Sequence, residues 1–181
     1  LGDVYKRQIK ILQKINFISP YIELPKKLTV KQNLIVFGKL YKIKNLNDRI
    51  DYLTSKLRLS DILNRITGEL SSGQKNRASL AKSLINDPKV LLLDEPTASL
   101  DPEIGDFIRS FLEDYKKEKK ISILLASHNM NEVTRLCKSI LMMKDGIIVD
   151  SGSPANLIEK HGRKNLEEVF LKLSRSPNEH N

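Results

Sequence analysis

Two acidic side chains that directly follow a short apolar run are the residues best suited to chemistry. The run extends from Val90 to Leu93, and Asp94 and Glu95 come immediately after it. Such a run predicts a buried strand of a parallel sheet, and these sheets place their chemistry at the carboxyl ends of strands. Asp94 is suited to holding Mg²⁺, and Glu95 to orienting or deprotonating a water that attacks a phosphate. Two acids that merely end a strand are the alternative interpretation.

A group of small polar residues precedes a predicted helix that begins near Gln74. The group consists of Leu70, Ser71, Ser72, Gly73 and Gln74. A helix N-terminus offers unpaired N–H groups and a positive dipole end to an anion. The Ser71 hydroxyl adds a donor, and Gly73 lets the backbone come close to a phosphate. An ordinary helix cap explains the same residues equally well.

Two more candidate positions lie further along the chain. His128 follows the predicted buried strand Ile121 to Ala126, where an imidazole can hydrogen-bond a γ-phosphate or the attacking water. Ser99 to Asp101 lie shortly after Glu95, and Asp101 followed by a proline also predicts the start of a helix. A structural surface histidine and a helix cap are the respective alternatives.

Short apolar strands that alternate with helices must position these side chains. Strands are predicted at 15–18, 90–93 and 121–126, and the two later runs are expected to be covered on both faces. A helical pattern fills the segment from about 28 to 86, with helix caps expected at Thr29 and Asp48. The pattern predicts an α/β protein with a helical insertion and a helical tail.

The composition is that of an ordinary globular chain. The protein has 181 residues, of which 40% are hydrophobic and 29% charged, a length that suits one domain. A single cysteine excludes an internal disulfide framework and a cysteine-based zinc site. The net charge of +9 is spread over several groups along the chain, so we expect a solvated surface and no nucleic-acid partner.

Taken in order, these motifs resemble the ATP-binding cassette of ABC transporters, from about Ile15 onward. The tail Asn165 to Leu171 resembles the end of exporters of the type-2, multidrug and antibiotic-resistance class. The resemblance implies an incomplete P-loop NTPase (RecA-like) parallel-sheet core with an inserted α-helical subdomain and a C-terminal helical tail. The resemblance implies four divisions. Residues 1–27 are the end of the N-terminal core, 28–88 a helical signature subdomain, 89–162 a Walker B and switch-histidine core, and 163–181 a tail.

The resemblance also implies a role for each candidate residue. Asp94 corresponds to the Walker B aspartate that binds Mg²⁺, Glu95 to the catalytic glutamate, and His128 to the switch histidine. The nucleotide-binding residues come from the signature motif and the D-loop: Ser71, Ser72, Gly73, Gln74 and Asp101. Ser72 departs from the family pattern, which usually has glycine there.

The implied function is that of an ATP-hydrolysing subunit of an exporter. Two cassettes would enclose two ATP molecules with Mg²⁺, in a symmetric homodimer or heterodimer, and would drive a separate membrane permease. The implied location is the cytoplasm, peripheral on the inner face of the cell membrane. The alternatives are a cassette ATPase that acts on ribosomes or DNA, and a nucleotide-incompetent half-cassette.

Two departures from the family pattern stand out. The phosphate-binding loop G-x-x-x-x-G-K-[ST] does not occur, since Gly38-Lys39 lacks the earlier glycine and is followed by Leu40. Because the chain begins with Leu1, we expect an N-terminal truncation with this Walker A loop upstream, and an isolated chain without ATPase activity. Pro20 occupies the position where the family has a metal-binding glutamine, so that role stays unassigned.

Overall fold

The computed structural model describes residues 8, 11–98 and 100–175. The chain divides into two compact units, which meet in the sequence between Ala126 and Ser127. We call them the first and the second unit. Asp94 and Glu95 lie in the first unit and His128 lies in the second.

The first unit is built on a three-stranded parallel sheet with the strand order β1-β2-β3. In the register, Ile18 of β1 pairs with Leu93 of β2, and Asp94 of β2 pairs with Ala126 of β3. Because the strands are parallel, the residue after Ile18 lies beside Asp94 at one edge of the sheet. The predicted parallel α/β core is confirmed, with these strand bounds: β1 Ile15–Ile18, β2 Val90–Asp94 and β3 Ser122–Ala126.

One face of this sheet is exposed, contrary to the prediction that β2 and β3 are covered on both faces. The registers align Phe17, Leu92 and Leu124 across the strands, and these residues are 41%, 37% and 66% exposed. Their neighbours Leu91 and Leu93 point to the other face and are buried. An all-apolar strand carries apolar side chains on both faces whether or not anything covers them. The prediction of double coverage is therefore wrong for the described residues.

Helices occupy the segment between β1 and β2, as predicted. The Thr29 hydroxyl accepts a hydrogen bond from the Gln32 N–H at 3.1 Å, and the Gln32 side chain accepts one from the Thr29 N–H at 2.9 Å. This reciprocal capping box starts the first helix where the sequence predicts it. The second helix starts after Asn45, earlier than the predicted cap at Asp48. The segment contains α1 Val30–Leu40, α2 Leu46–Lys56, α3 Ser72–Leu84, and two short 3₁₀ turns, Ser60–Ile62 and Thr67–Glu69.

A polar cluster joins this helical segment to the next helix, α4 (Pro102–Lys119). The Arg49 guanidinium on α2 donates to the Tyr115 hydroxyl on α4 at 2.8 Å, and Tyr115 donates to the Asp87 carboxylate at 3.0 Å. Burial raises the pKa of Tyr115, so its hydroxyl remains a donor at physiological pH. Because Asp87 follows α3, the cluster holds the C-terminal end of α3 between α2 and α4.

In its described residues, 127–175, the second unit combines a β-hairpin with three helices. Asp145 and Gly146 form the two-residue hairpin turn, with φ values of 50° and 78°, and Asp-Gly pairs are typical of such turns. None of the helices described in either unit is long and apolar enough to cross a membrane. The elements are α5 Met130–Leu136, β4 Ile140–Lys144, β5 Ile147–Gly152, α6 Pro154–His161 and α7 Leu166–Arg175.

Candidate nucleotide site

Asp94 lies at the carboxyl end of β2, beside the end of β1. The Ser19 hydroxyl donates a hydrogen bond to Asp94 Oδ2 at 2.9 Å. The same hydroxyl oxygen accepts the backbone N–H of Tyr21 at 3.4 Å. The register that pairs Ile18 with Leu93 brings these two side chains together, because Ser19 directly follows Ile18 and Asp94 directly follows Leu93.

Glu95 leaves the strand in the left-handed backbone region, with φ at 47°. Its N–H donates to the Ala126 carbonyl at 2.9 Å, which extends the pairing with β3 by one bond. A residue other than glycine costs about 1–3 kcal/mol in such a conformation, and these residues concentrate at functional sites. An unfavourable backbone turn thus holds the half-buried Glu95 side chain at the carboxyl end of the central strand β2.

Asp94 and Glu95 line one cavity of about 230 Å³ within the first unit. Ser19 contributes from the residue after β1, and Ser72 and Asn76 contribute from α3. The Asn76 side-chain N–H donates to the carbonyl of Pro96 at 2.8 Å, which connects α3 to the loop after β2. The cavity therefore joins the predicted Walker B acids to one residue of the predicted signature motif.

The predicted signature motif forms the start of α3. The Ser71 hydroxyl accepts from the Gln74 N–H at 3.3 Å, and the Gln74 side chain accepts from the Ser71 N–H at 3.1 Å. The helix begins at Ser72, two residues before the predicted start, because this capping box lies in front of it. In the described part of the chain, the N–H groups of Ser72 and Gly73 have no acceptor, so they are available to an anion.

Gly73 is not required by the fold of its own unit. Its φ lies outside the left-handed region, and an added Cβ would lie 3.6 Å from Ile104 Cγ2, an ordinary van der Waals distance. An alanine therefore fits at this position as far as the chain itself is concerned. Any requirement for glycine at position 73 has to come from something outside the chain.

The remaining candidates lie at helix starts. Asp101 caps α4, because its carboxylate accepts the Ile104 N–H at 3.0 Å, as the capping alternative predicts. Ser99 lies outside the described residues. His128 is exposed and stands one residue before Asn129, which caps α5 in the second unit. The structure thus brings Asp94, Glu95 and Ser72 to one cavity, whereas Asp101 caps a helix that the cavity does not involve.

Sequence reasoning missed two residues of this site, Ser19 and Asn76. The signal for Ser19 was its position immediately after an apolar run, the same pattern that pointed to Asp94. The signal for Asn76 was an amide on the first turns of the signature helix. Neither pattern names a contact partner, since the partners are 75 and 20 residues away.

The oxygen donors at the strand ends fit a nucleotide-bound Mg²⁺. This ion takes one or two protein oxygens and completes its shell with phosphate oxygens and water. The Asp94 carboxylate and the Ser19 hydroxyl are such donors, 2.9 Å apart. Within the described ranges, no group of three or more His, Cys, Asp or Glu side chains forms a metal cage.

Comparison with known proteins decides the family. A family model described as ABC transporter matches residues 3–98, just over half of the chain. The ABC transporter ATP-binding protein NatA of Bacillus subtilis is 33% identical over 172 residues, which cover 93% of this chain and 70% of that protein. The chain belongs to the ABC transporter family. It is the nucleotide-binding ATPase domain of this family, as the motifs predict, and such domains bind ATP.

Two further ABC relatives differ in the direction of transport that their names give. Nod factor export ATP-binding protein I of Rhizobium sp. (strain N33) is 34% identical over 173 residues, which are 94% of this chain and 57% of that protein. Methionine import ATP-binding protein MetN 1 of Bacillus anthracis is 38% identical over 152 residues, which are 82% of this chain and 43% of that protein. The chain spans about half the length of these two relatives. The family membership thus makes it an ATP-binding subunit of a transporter without fixing export or import.

Solved structures share the ABC cassette fold. A dimeric ATP-binding cassette in a post-hydrolysis state, bound to ADP and Pi, superposes with a TM-score of 0.73 at 24% identity, over 82% of this chain and 66% of that chain. CbiO1 from Clostridium perfringens, part of the ABC transporter complex CbiONQ, has a TM-score of 0.73 at 30% identity, over 93% of this chain and 67% of that chain. One of these cassettes is a dimer and the other is part of a transporter complex, and this chain shares their fold.

Proposed function

We propose that the complete protein is the ATP-binding and ATP-hydrolysing subunit of an exporter that acts through a separate membrane permease. The observation that carries the proposal is the placement of Asp94 and Glu95 at the carboxyl end of β2, on one cavity. Parallel α/β sheets bind and transform their ligands at this edge. The family membership supplies the nucleotide as the ligand class.

Asp94 would hold Mg²⁺, and Glu95 would act on the water that attacks the γ-phosphate. The cation neutralises charge on the phosphate oxygens. Glu95 accepts a proton from the water or orients it, a task that needs a carboxylate placed apart from the one that binds the metal. The left-handed turn at Glu95 supports this division, because it breaks the regular alternation of the strand directly after Asp94. His128 would hydrogen-bond the γ-phosphate or this water.

The start of α3 would bind the nucleotide held by a second copy of the cassette. The N–H groups of Ser72 and Gly73 support this proposal, because the capping box of Ser71 and Gln74 leaves them available. Gly73 supports it as well, since its own unit has room for a side chain there. Asp101 would contact the nucleotide across the same dimer interface.

We further propose export as the direction and the inner face of the cell membrane as the location. The resemblance of the tail to exporter ends and the Nod factor export relative support export, whereas the methionine import relative speaks for the opposite direction. The helical segment 28–88 would contact the permease, and the protein would lie in the cytoplasm, peripheral to the membrane.

Replacing Glu95 by glutamine in the complete protein tests the proposed chemistry. Glutamine keeps the size of the side chain and removes its basicity, so ATP turnover is expected to fall at least about a hundredfold. Phosphate release measures this turnover. An ATP-bound dimer should also accumulate, visible by size-exclusion chromatography with ATP. Glu103→Gln is the matched control, because Glu103 is an exposed acid in the first turn of α4. Wild-type turnover in Glu95→Gln would contradict the proposal.

The same variant tests the direction of transport. In inside-out membrane vesicles that carry the complete transporter, an exporter moves its cargo into the vesicles when ATP is added outside. Glu95→Gln should abolish this accumulation, whereas Glu103→Gln should retain it. Accumulation in right-side-out vesicles instead would establish import and leave the proposed chemistry of Glu95 intact.

A further inference from the structure

We infer that Ser19 is a positioning residue that sets the orientation of the Asp94 carboxylate for the cation. This inference rests on the proposed role of Asp94 in Mg²⁺ binding. The observation that supports it is the hydrogen bond of 2.9 Å that the Ser19 hydroxyl donates to Asp94 Oδ2. Within the described part of the chain, Ser19 is the one residue that hydrogen-bonds this carboxylate, so Oδ1 remains for a ligand.

The backbone around Ser19 fixes the direction of its hydroxyl. The Ser19 oxygen accepts the Tyr21 N–H at 3.4 Å, so its own proton is directed at Asp94. The next residue is Pro20, whose ring disfavours the helical region for the residue before it. The hydroxyl therefore has an acceptor and a donor in defined directions, on a short backbone segment with little freedom.

The hydrogen bond from Ser19 holds the Asp94 carboxylate at the wall of the cavity in which a cation would bind. Ser19 and Asp94 line the same cavity, together with Glu95. The carboxylate of Asp94 would otherwise rotate between positions in which either oxygen faces the cavity. A hydrogen bond to Oδ2 removes one of these positions, which lowers the entropy lost when a cation binds Oδ1.

Metal binding to the complete protein tests the inference. In the Glu95→Gln background with ATP, the affinity for Mn²⁺, used in place of Mg²⁺, is measured by electron paramagnetic resonance. Ser19→Ala should weaken Mn²⁺ binding about tenfold, since the loss of a residue that orients a metal ligand costs 10–100-fold. Ser19→Thr keeps the hydroxyl and should restore the affinity to within about threefold of the parent.

Two controls separate this inference from the proposed function. Ser79→Ala removes a hydroxyl from the same cavity wall without a hydrogen bond to Asp94, and should leave the Mn²⁺ affinity unchanged. Asp94→Asn should abolish specific Mn²⁺ binding. Undiminished affinity in Ser19→Ala, or an equal loss in Ser79→Ala, overturns the role of Ser19 while the loss in Asp94→Asn upholds that of Asp94. Undiminished affinity in Asp94→Asn overturns the metal role of Asp94 and with it the inference.

Discussion

The helices α3 and α6 both start with a serine cap, yet α3 leaves more backbone donors for a ligand. Ser71 accepts the Gln74 N–H at 3.3 Å, and Ser153 accepts the Asn156 N–H at 3.2 Å. Judged by these hydrogen bonds alone, the two helix starts are equivalent. A cap therefore neither supports nor excludes a role in binding.

The residues after each cap make the difference. The first residue of α6 is Pro154, which has no N–H. At the other end of the helix, the Lys160 and His161 side chains contact the Asp150 carboxylate at 2.7 Å and 2.6 Å. Proline thus removes one donor from the start of α6, and the side chains at the other end of the helix are used within the second unit. Among the described residues, α3 leaves the N–H groups of both Ser72 and Gly73 without an acceptor, whereas α6 leaves that of Ala155 alone. The number of unused backbone N–H donors, and not the capping serine, therefore distinguishes a helix N-terminus suited to binding a ligand from one that only caps a helix.

Replacing each capping serine by aspartate should produce the largest contrast between the two helices. Aspartate caps a helix as well as serine does, so both variants should keep their free energy of unfolding within about 0.5 kcal/mol. Ser71→Asp places a carboxylate next to the proposed phosphate position, and like charges there cost several kcal/mol, so ATP-dependent dimerisation should weaken about a hundredfold. Ser153→Asp should dimerise normally. The assay is analytical ultracentrifugation of the complete protein with ATP, in the Glu95→Gln background.

Adding a methyl group near each start should give the next largest contrast. Gly73→Ala should weaken ATP-dependent dimerisation about tenfold, because one extra methyl in a close interface costs about 1–3 kcal/mol. Its thermal stability should be unchanged or higher, since alanine favours a helix by up to about 1 kcal/mol over glycine. Gly152→Ala, directly before Ser153, is the control, because its Cβ would lie 3.5 Å from Leu157 Cγ. Normal dimerisation of Gly73→Ala would show that no partner approaches this glycine closely.

The smallest effect is expected at the C-terminal end of α6, where Lys160 and His161 contact Asp150. The hydrogen bond from Lys160, followed by those from His161 and the Ser151 N–H, lowers the pKa of Asp150 from 3.8 to about 2. A carboxylate with a lowered pKa in the folded state stabilises the protein above the unfolded value of 3.8, and this stabilisation is lost as pH falls from 3.8 towards about 2. Asp150→Asn should therefore be less stable at about pH 6, by about 1–2 kcal/mol, and should approach the wild type at about pH 2.

Urea unfolding at both pH values measures this difference. Asp114→Asn is the control, because Asp114 is an exposed acid on α4. An equal effect of the two substitutions at about pH 6 would mean that the contacts of Asp150 with Lys160 and His161 contribute nothing to stability.

Local sequence was sufficient for the features that depend on neighbouring residues. The apolar run before Asp94, the capping box at Ser71 and the Asp-Gly turn at Asp145 each act within about four residues, so their patterns are visible in the sequence. The pairing of β1 with β2 depends on residues about 75 positions apart, and the contact between Ser19 and Asp94 follows from it. No local pattern encodes such a register, and for this reason the contact of Ser19 with Asp94 could not be predicted from the sequence.

The same reasoning explains the error about the sheet faces. An apolar run predicts a strand, but the burial of each face depends on what packs against it. Phe17, Leu92 and Leu124 are apolar and exposed, and only the parallel registers show that they form one continuous row. The position of a strand was therefore predictable from the residues, whereas the coverage of its faces was not.

The backbone turn at Glu95 limits which sequences evolution can sample at this site. A φ of 47° penalises nearly every residue except glycine and, to a lesser degree, asparagine and aspartate. Glu95→Gly would relieve the backbone and remove a half-buried acid, so it would stabilise the fold while removing the proposed catalytic carboxylate. The protein is thus less stable than its fold allows at the residue on which hydrolysis is proposed to depend.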